Sequence, residues 1–273
     1  MTEPRLVDPG STGYPVGLHD LEEPPPIWIL GSLRAEPGIA VVGTRRCTRY
    51  GVELAEGFGA VIARAGWTTV SGLARGIDTA AHRGCLRLSG HAVAVLGSGI
   101  DHCYPEENRP MYDQIVATGG AIVSEYPPGT PPDRWRFPAR NRIIAAMSAA
   151  VVVVEAAVTG GALITARLGA ELGRPVFVVP GDVDRKMSEG CNRLIRDGAH
   201  PVLGGGDLLE ELSLVVGPPA GATDDAHGIP SEGVRVGELP ELWSLPVTQA
   251  LVKLGRLEME GKVRRVGDHV VPG

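Results

Sequence analysis

The chain has few aromatic residues and few cysteines, and it lacks the patterns that mark several common classes of protein. Phe, Trp and Tyr make up 4% of its 273 residues, and its four cysteines form neither a CxxC pair nor a zinc-ligand spacing. We therefore expect isolated thiols in a reducing compartment. No apolar run reaches the ~20 residues that span a bilayer, and no basic-then-apolar secretion signal opens the chain. These absences predict a cytoplasmic protein with no membrane partner, no metal site and no cofactor.

The phosphate-binding signatures of common nucleotide enzymes are also absent. The glycine loop GTRRCTRYG at 43–51 follows a predicted strand, but it matches neither GxGxxG nor GxxxxGK[ST]. Arg45, Arg46 and Arg49 have no acidic residue among them, and they precede a predicted helix whose N-terminus attracts anions. Gly43 permits tight backbone geometry at this point. The loop is interpreted as a phosphate-sized anion site, and solvated surface arginines are the alternative.

A pattern of apolar run, glycine and helical segment repeats along most of the chain. Runs such as IAVVG (39–43) and AVVVVEA (150–156) show no polar alternation, as expected of strands covered on both faces. Alternating strands and helices at 38–215 predict an α/β domain with a mainly parallel sheet and helices on both faces. Ligands of such sheets bind beyond the carboxyl ends of the strands. Six glycines fall there: Gly43, Gly72, Gly97, Gly99, Gly160 and Gly181.

The segments on either side of this domain differ from it in composition. Residues 1–37 are rich in proline and glycine and predict an extended lead-in, and residues 216–230 are interpreted as a linker. Helically spaced leucines followed by a hairpin pattern at 231–273 predict a small winged-helix domain. Its basic and acidic residues are equal in number, whereas a domain that binds double-stranded DNA tightly carries net positive charge. We therefore expect a protein-contact or weak accessory role for it.

The stretch DRWRFPARNRIIAAMS at 133–148 concentrates arginine and aromatic residues in a chain of net charge -6. Pro138 is suited to the first turn of a helix, with the residues before it in a loop. Guanidinium planes bind phosphates and stack on bases, and Trp135 and Phe137 offer stacking surfaces, as single-strand binding requires. Core packing is the alternative for these two rings. The arginines of the stretch are Arg134, Arg136, Arg140 and Arg142.

Two further patterns are candidates for a catalytic site. Asp78 and His82 share a helix face and would form an acid–base pair, although capping and internal hydrogen bonding are the simpler interpretation. Gly160 and Gly161 follow a strand and allow close approach of a phosphate. When they are aligned with GGxGTxxE of nucleotide phosphoribohydrolases, Arg167 stands where the catalytic glutamate would be. This mismatch argues against such an enzyme, which remains the alternative function.

Together these stretches resemble the DprA/Smf family of DNA-processing proteins. The match runs from about 39 to 212 through VVGTRRCTRYG, SGLARGIDTAAH, LGSGIDHCYPEEN, RWRFPARNRIIAAMS, VVVVEAAVTGGALITA and EGCNRLIRDGA, and it continues more weakly in the closing segment. The resemblance implies an extended Rossmann-like domain that binds and protects single-stranded DNA. It also implies loading of the RecA recombinase during natural transformation, action as a homodimer, and no catalytic turnover.

The arginine loops and the resemblance together predict a set of DNA-contacting residues. Thr159 stands where the family often has a serine, and 1–37 leaves no room for the helical N-terminal domain of many members. The predicted set is Gly43, Arg45, Arg46, Ser71, Gly72, Arg75, Ser98, Gly99, Arg136, Phe137, Arg140, Asn141, Arg142, Gly160, Gly161, Thr165 and Asn192.

Overall fold

A mixed, mostly parallel sheet forms the centre of the larger part of the chain. The computed structural model describes residues 3–217, 228–230, 233–243 and 245–272, in two compact units, Met1–Pro219 and Ala220–Gly273. Within 3–217 the sheet has nine strands in the order β1-β2-β6-β5-β4-β3-β7-β8-β9. The strands are β1 Arg5–Val7, β2 Ile27–Gly31, β3 Gly38–Val42, β4 Thr69–Ser71, β5 Ala92–Val95, β6 Ala121–Ser124, β7 Ser148–Val153, β8 Val176–Val178 and β9 His200–Pro201. From β6 to β9 all neighbours are parallel, while β1 and β2 pair antiparallel.

Helices cover both faces of this sheet, as the sequence pattern predicts. They are α1 Arg49–Arg64, α2 Ile77–Arg87, α3 Arg109–Ala117, α4 Arg136–Ala146, α5 Gly161–Glu171, α6 Lys186–Arg196 and α7 Gly205–Val215. In β3, Ala40 and Val42 pack in the cluster that contains α4 and α5, whereas Ile39 and Val41 pack in the cluster that contains α1 and α2. Within the described residues, no helix is both long and apolar enough to cross a membrane.

The N-terminal residues are part of the sheet, which corrects the expectation of an extended lead-in at 1–37. Strand β2 pairs with β6, and β1 pairs with β2. Ile27 and Ile29 are fully buried, as is Leu18 from the short 3₁₀ helix Val16–Asp20. Prolines and glycines between these apolar residues interrupt the hydrophobic periodicity. The sequence pattern therefore does not predict the two strands.

Strand β3 lies at the point where the order of the strands reverses. Its neighbours are β4 on one side and β7 on the other; the chain leaves β3 towards β4 and leaves β7 towards β8, in opposite directions. Such a switch point opens a crevice at the carboxyl ends of the strands. Gly76, with φ +81°, packs against the loop after β3, because a Cβ there would lie 2.4 Å from the carbonyl oxygen of Thr44. The loops after β3 and β4 are thereby held together.

The described elements of the second unit follow the order of a winged helix from its first strand onward. Its elements are β10 Val234–Arg235, α8 Leu239–Trp243, α9 Val247–Met259, β11 Val263–Val266 and β12 His269–Pro272, with an antiparallel sheet in the order β10-β12-β11. Leu254 and Leu257 belong to its hydrophobic core. Leu251, another of the helically spaced leucines, is exposed. The predicted linker at 216–230 lies mostly outside the described residues.

Candidate nucleic-acid interface

A pocket opens beyond the carboxyl ends of β3, β4 and β5, next to the first turn of α4. Segments that lie far apart in the sequence meet there, namely the loops after β3 and β4, the connection that follows β5, and α4. This is the edge of a parallel sheet at which ligands bind. The lining residues are Arg45, Gly72, Ala74, Arg75, Tyr104, Pro105, Phe137 and Arg140.

Arg140 forms the floor of the pocket. Its side chain comes from α4 and is 3% exposed. Its Nη1 donates to the carbonyl oxygen of Gly72 at 2.9 Å and to that of Val95, and its Nε donates to Oδ1 of Asn141 at 3.3 Å. Burial lowers the pKa of Arg140 to about 10, so the guanidinium stays charged at neutral pH. A guanidinium has five N–H donors, which leaves some for a ligand.

Asp78, in the first turn of α2, holds the loop after β4 from the other side. Its Oδ2 accepts from the backbone N–H of Gly72 at 3.1 Å and of Ala74 at 3.4 Å. Burial raises the pKa of Asp78, and the charge of Arg140 partly offsets this effect. His82 is fully buried, and neither ring nitrogen has a hydrogen-bond partner in the described part of the chain. The acid–base pair considered from the sequence is therefore not formed.

Arginines and aromatic rings alternate along the rim of the pocket. The Arg45 guanidinium carbon lies 5.1 Å from the centroid of the Phe137 ring, and the Phe137 and Tyr104 centroids are 5.2 Å apart. Just outside the pocket, Arg136 lies 5.0 Å from the ring of Tyr126 and 5.1 Å from that of Trp135. We call Arg45, Phe137 and Tyr104 the arginine–aromatic rim.

Trp135 and the rings of the arginine–aromatic rim are accessible to solvent. The alternative that Trp135 and Phe137 belong to the hydrophobic core is therefore wrong. Trp135 is 59% exposed and Tyr104 is 43% exposed. Phe137 is half-buried and belongs to none of the hydrophobic clusters found among the described residues. Helix α4 begins at Arg136, two residues before Pro138, and Phe137 therefore stands on the first helical turn.

The predicted arginines differ in whether an acidic side chain neutralises them. Arg45 and Arg46 are exposed and form no ion pair with any described residue. Arg49 pairs with Glu53 at 2.8 Å, and Arg142 pairs with Glu125. Arg75 makes two hydrogen bonds to Glu107. Arg136, at the start of α4, also forms no ion pair with a described residue, so free positive charge at this edge lies both in the loop after β3 and at the start of α4.

The N-terminus of α1 is not an open anion site, which corrects the interpretation of the arginine loop. Glu155, directly after β7, occupies it with its own carboxylate. Oε2 of Glu155 accepts from the backbone N–H of Thr48 at 2.8 Å, and Oε1 accepts from the Thr48 hydroxyl at 2.6 Å. Of the two free arginines of this loop, Arg45 lines the pocket, so an anion bound there would lie on the pocket side of the loop.

Three predicted contact residues have buried side chains with other roles. The Ser71 hydroxyl donates to the carbonyl oxygen of Val41 at 2.7 Å, and the Ser98 hydroxyl donates to that of His102 at 2.7 Å. Thr165 is buried inside α5. Their side chains therefore support the sheet edge, and a contact of these positions with DNA stays a prediction that only their backbone groups could meet.

Two further predicted residues are engaged by the neighbouring backbone. Gly99 packs against the loop at 127–130, since a Cβ there would lie 2.6 Å from the carbonyl oxygen of Pro127. Asn192 donates to the carbonyl oxygen of Gly181 at 2.9 Å and accepts from its N–H at 3.2 Å. These residues shape the loops and do not face the pocket.

The two glycines before α5 lie where the sequence predicts them, at the start of a helix. Gly160 and Gly161 stand at the N-terminus of α5, where Gly161 is exposed. Asn141 connects this terminus to α4, because its amide donates to the carbonyl oxygen of Gly161 at 3.1 Å. Gly43 does not line the pocket; a Cβ there would lie 2.5 Å from Cγ1 of Ile77.

Sequence reasoning missed Tyr104 and Glu107. Both lie in LGSGIDHCYPEEN, a stretch whose only local signals are turn residues and acids. An isolated tyrosine, a proline and two glutamates give no pattern that points to Phe137 or Arg75. Only the fold brings them together.

Fold and site define a class of protein: a Rossmann-like α/β protein with a cationic, ring-lined pocket at the carboxyl edge of its sheet. A family model described as DNA recombination-mediator protein A matches residues 5–213. The chain belongs to this family, and the resemblance to DprA/Smf proteins noted in the sequence is confirmed.

Individual relatives agree with this assignment. Protein Smf of Synechocystis is 43% identical over 219 residues, which cover 78% of this chain and 55% of that protein. The DNA processing protein DprA of Bacillus subtilis is 38% identical over 206 residues, covering 74% and 69%. The chain thus spans little more than half the length of the Synechocystis relative.

Solved structures confirm the fold. DNA processing protein A from Streptococcus pneumoniae superposes with a TM-score of 0.71 at 38% identity, covering 76% of this chain and 74% of that chain. The protein from Helicobacter pylori gives 0.69 at 27% identity, covering 78% and 98%, and its structure is described as showing a single-stranded DNA binding mode.

Proposed function

We propose that this chain binds single-stranded DNA at the pocket and its arginine–aromatic rim. The observation that carries the proposal is the stack of Arg45 on Phe137 and of Phe137 on Tyr104, above the buried charge of Arg140. Planar cations and rings in one row fit an unpaired strand, which offers phosphates and open base faces together. The single-stranded DNA binding described for the Helicobacter pylori relative supports the same ligand.

The rings make the proposed site selective for single strands. Base–aromatic stacking contributes about 1–3 kcal/mol per base, and it requires a base whose face is free. Bases in a duplex are stacked on each other, so Tyr104 and Phe137 gain nothing from them. A duplex would interact with the arginines alone.

Fluorescence anisotropy with a labelled oligo-dT and a duplex of equal length, across a salt series, tests this proposal. If about four phosphates are neutralised, log K falls with log salt at a slope of roughly -3 for the single strand. We expect much weaker duplex binding. Equal affinity for both forms would indicate a different binding surface, and no binding to either would overturn the proposal.

We further propose that the bound strand is protected and passed to a RecA-type recombinase, as a step of DNA processing in natural transformation. The support is the family itself, whose description names a recombination mediator. The test combines nuclease digestion of the oligonucleotide with recombinase filament assembly, each with and without the protein. Unchanged digestion and assembly at a protein concentration that saturates the strand would overturn this part.

A homodimer is the assembly we propose. Val183 and Leu203 follow the neighbouring strands β8 and β9 and are 91% and 80% exposed. Single exposed apolar side chains are common on protein surfaces, so these two serve here as the positions at which contact with a second copy is tested. Light scattering should give twice the chain mass for the wild type and the single mass for a Val183→Asp, Leu203→Asp variant.

We propose a binding role without catalysis for the first unit and an accessory role for the winged helix. Both buried carboxylates near the pocket, Asp78 and Glu155, are held by backbone N–H groups. In the winged helix, Arg256 and Arg265 are paired with Glu260 and Glu258. Release of a base or phosphate from nucleoside monophosphates would instead support the phosphoribohydrolase alternative.

A further inference from the structure

One arginine of the pocket is already bound to a carboxylate in the position that a phosphate would take. Nε of Arg75 lies 2.7 Å from Oε1 of Glu107, and its Nη2 lies 2.8 Å from Oε2. Carboxylate and phosphate oxygens both fit the fork of a guanidinium in this bidentate way. Glu107 therefore occupies the donors that a strand would use.

Glu107 is fixed beside Arg75 by its neighbour in the chain. Glu107 belongs to the short 3₁₀ turn Glu106–Asn108, and Asn108 is buried. The amide of Asn108 donates to the carbonyl oxygen of Leu73 at 2.8 Å and to Oγ1 of Thr79 at 2.9 Å. The turn that carries Glu107 is thus attached to the loop that carries Arg75 and to the helix α2 that follows it.

We propose that Glu107 is an internal competitor of the DNA phosphate for Arg75 and so determines the affinity of the pocket. This inference rests on the proposed single-strand binding. Both side chains of the pair are more than half exposed, and exposed ion pairs are weak enough to exchange. A strand held at several points displaces the carboxylate because its phosphate is then at high effective concentration. A free phosphate ion is held at one point only, so it does not reach this effective concentration at Arg75.

Replacing the competing carboxylate tests the proposal. In Glu107→Gln the amide keeps the shape of the side chain but removes the negative charge. Arg75 then binds its phosphate without first displacing a carboxylate, so affinity for oligo-dT near 0.1 M salt rises, by up to roughly fivefold, and the salt slope steepens by at most about 0.7. Anisotropy titrations over a salt series measure both quantities, with circular dichroism to verify the fold.

Two controls separate competition from a general change of charge. Glu106→Gln removes the same charge one residue away, from a side chain with no ion pair in the described residues, and should leave affinity and slope near those of the wild type. In an Arg75→Ala background, Glu107→Gln should give no gain. Weaker binding by Glu107→Gln, an equal gain in Glu106→Gln, or a gain that persists without Arg75 would each overturn the competition. Failure of the wild type itself to bind oligo-dT would instead overturn the proposed function, and this inference with it.

Discussion

Asp78 and Arg140 hold the two polar backbone groups of Gly72 from different helices. Asp78 of α2 accepts from its N–H, and Arg140 of α4 donates to its carbonyl oxygen. Burial raises the pKa of Asp78 and lowers that of Arg140, and each charge partly offsets the effect of burial on the other. The loop after β4 is therefore fixed between opposite charges, and the position of the pocket floor depends on it.

Gly72→Ala should disturb this arrangement. A Cβ at Gly72 would lie 2.6 Å from Nη2 of Arg140, a contact that real side chains do not make. Overpacking of this kind costs about 1–3 kcal/mol of unfolding free energy, and the displaced guanidinium should weaken oligo-dT binding as well. Urea denaturation and anisotropy measure the two effects.

The matched control for that substitution is Gly57→Ala in α1. Apart from its chain neighbours and the backbone of its own helix, a Cβ at Gly57 would have no heavy atom of the described residues within 4 Å, and alanine is the better helix former. This variant should be slightly more stable than the wild type and bind as it does. Equal stability of the two variants would contradict the close packing at Gly72.

Arg45→Ala should weaken single-strand binding and reduce the steepness of the salt slope by about 0.7, because one phosphate contact is lost. Arg49→Ala is the matched control, since Arg49 lies in the same loop region but pairs with Glu53. It should change the slope much less. If both variants lose the same amount, the loop acts only through its overall charge.

The fold could be predicted because β3 to β8 are short apolar runs, of which β3, β4 and β5 are followed closely by a glycine. Val151 and Val153 pack on one side of the sheet and Ala150 and Val152 on the other, which explains the absence of polar alternation. Strands β1 and β2 could not be predicted in this way. They pair antiparallel at the edge, and the pairing depends on β6, far along the chain.

Site residues could be predicted where a single sequence motif indicates their role. They could not be predicted where the role depends on a contact with a residue far away in the sequence. The loop containing Arg45 and the stretch containing Phe137 were both recognised, and they meet. Ser71 and Ser98 follow or end strands just as a ligand-binding residue would, and the sequence does not show that their hydroxyls bond to carbonyl groups. Tyr104 lacked any local pattern.

Tyr104→Ala should remove a stacking surface without removing charge. We expect a loss of about 1–3 kcal/mol in oligo-dT binding with an unchanged salt slope. Tyr104→Trp keeps a ring at the rim and should bind nearly as well as the wild type. A changed slope in Tyr104→Ala, or equal affinities of the two variants, would contradict stacking at this position.

His82 should make the protein less stable in acid. Burial lowers its pKa to about 4, against about 6.5 in the unfolded chain. Below pH 6.5 the unfolded chain takes up a proton that the native protein does not, so the stabilising contribution is complete above that pH and decreases as the pH falls towards 4. Between pH 7.5 and 4.5 this amounts to about 2.5 kcal/mol of unfolding free energy.

His82→Leu removes the titration, so the difference in stability between variant and wild type should shift by that amount in favour of the variant over this interval. Urea denaturation at both pH values measures the shift, and any packing cost of the leucine cancels because it is present at both. A difference that stays constant with pH would show that His82 is not buried as a neutral ring.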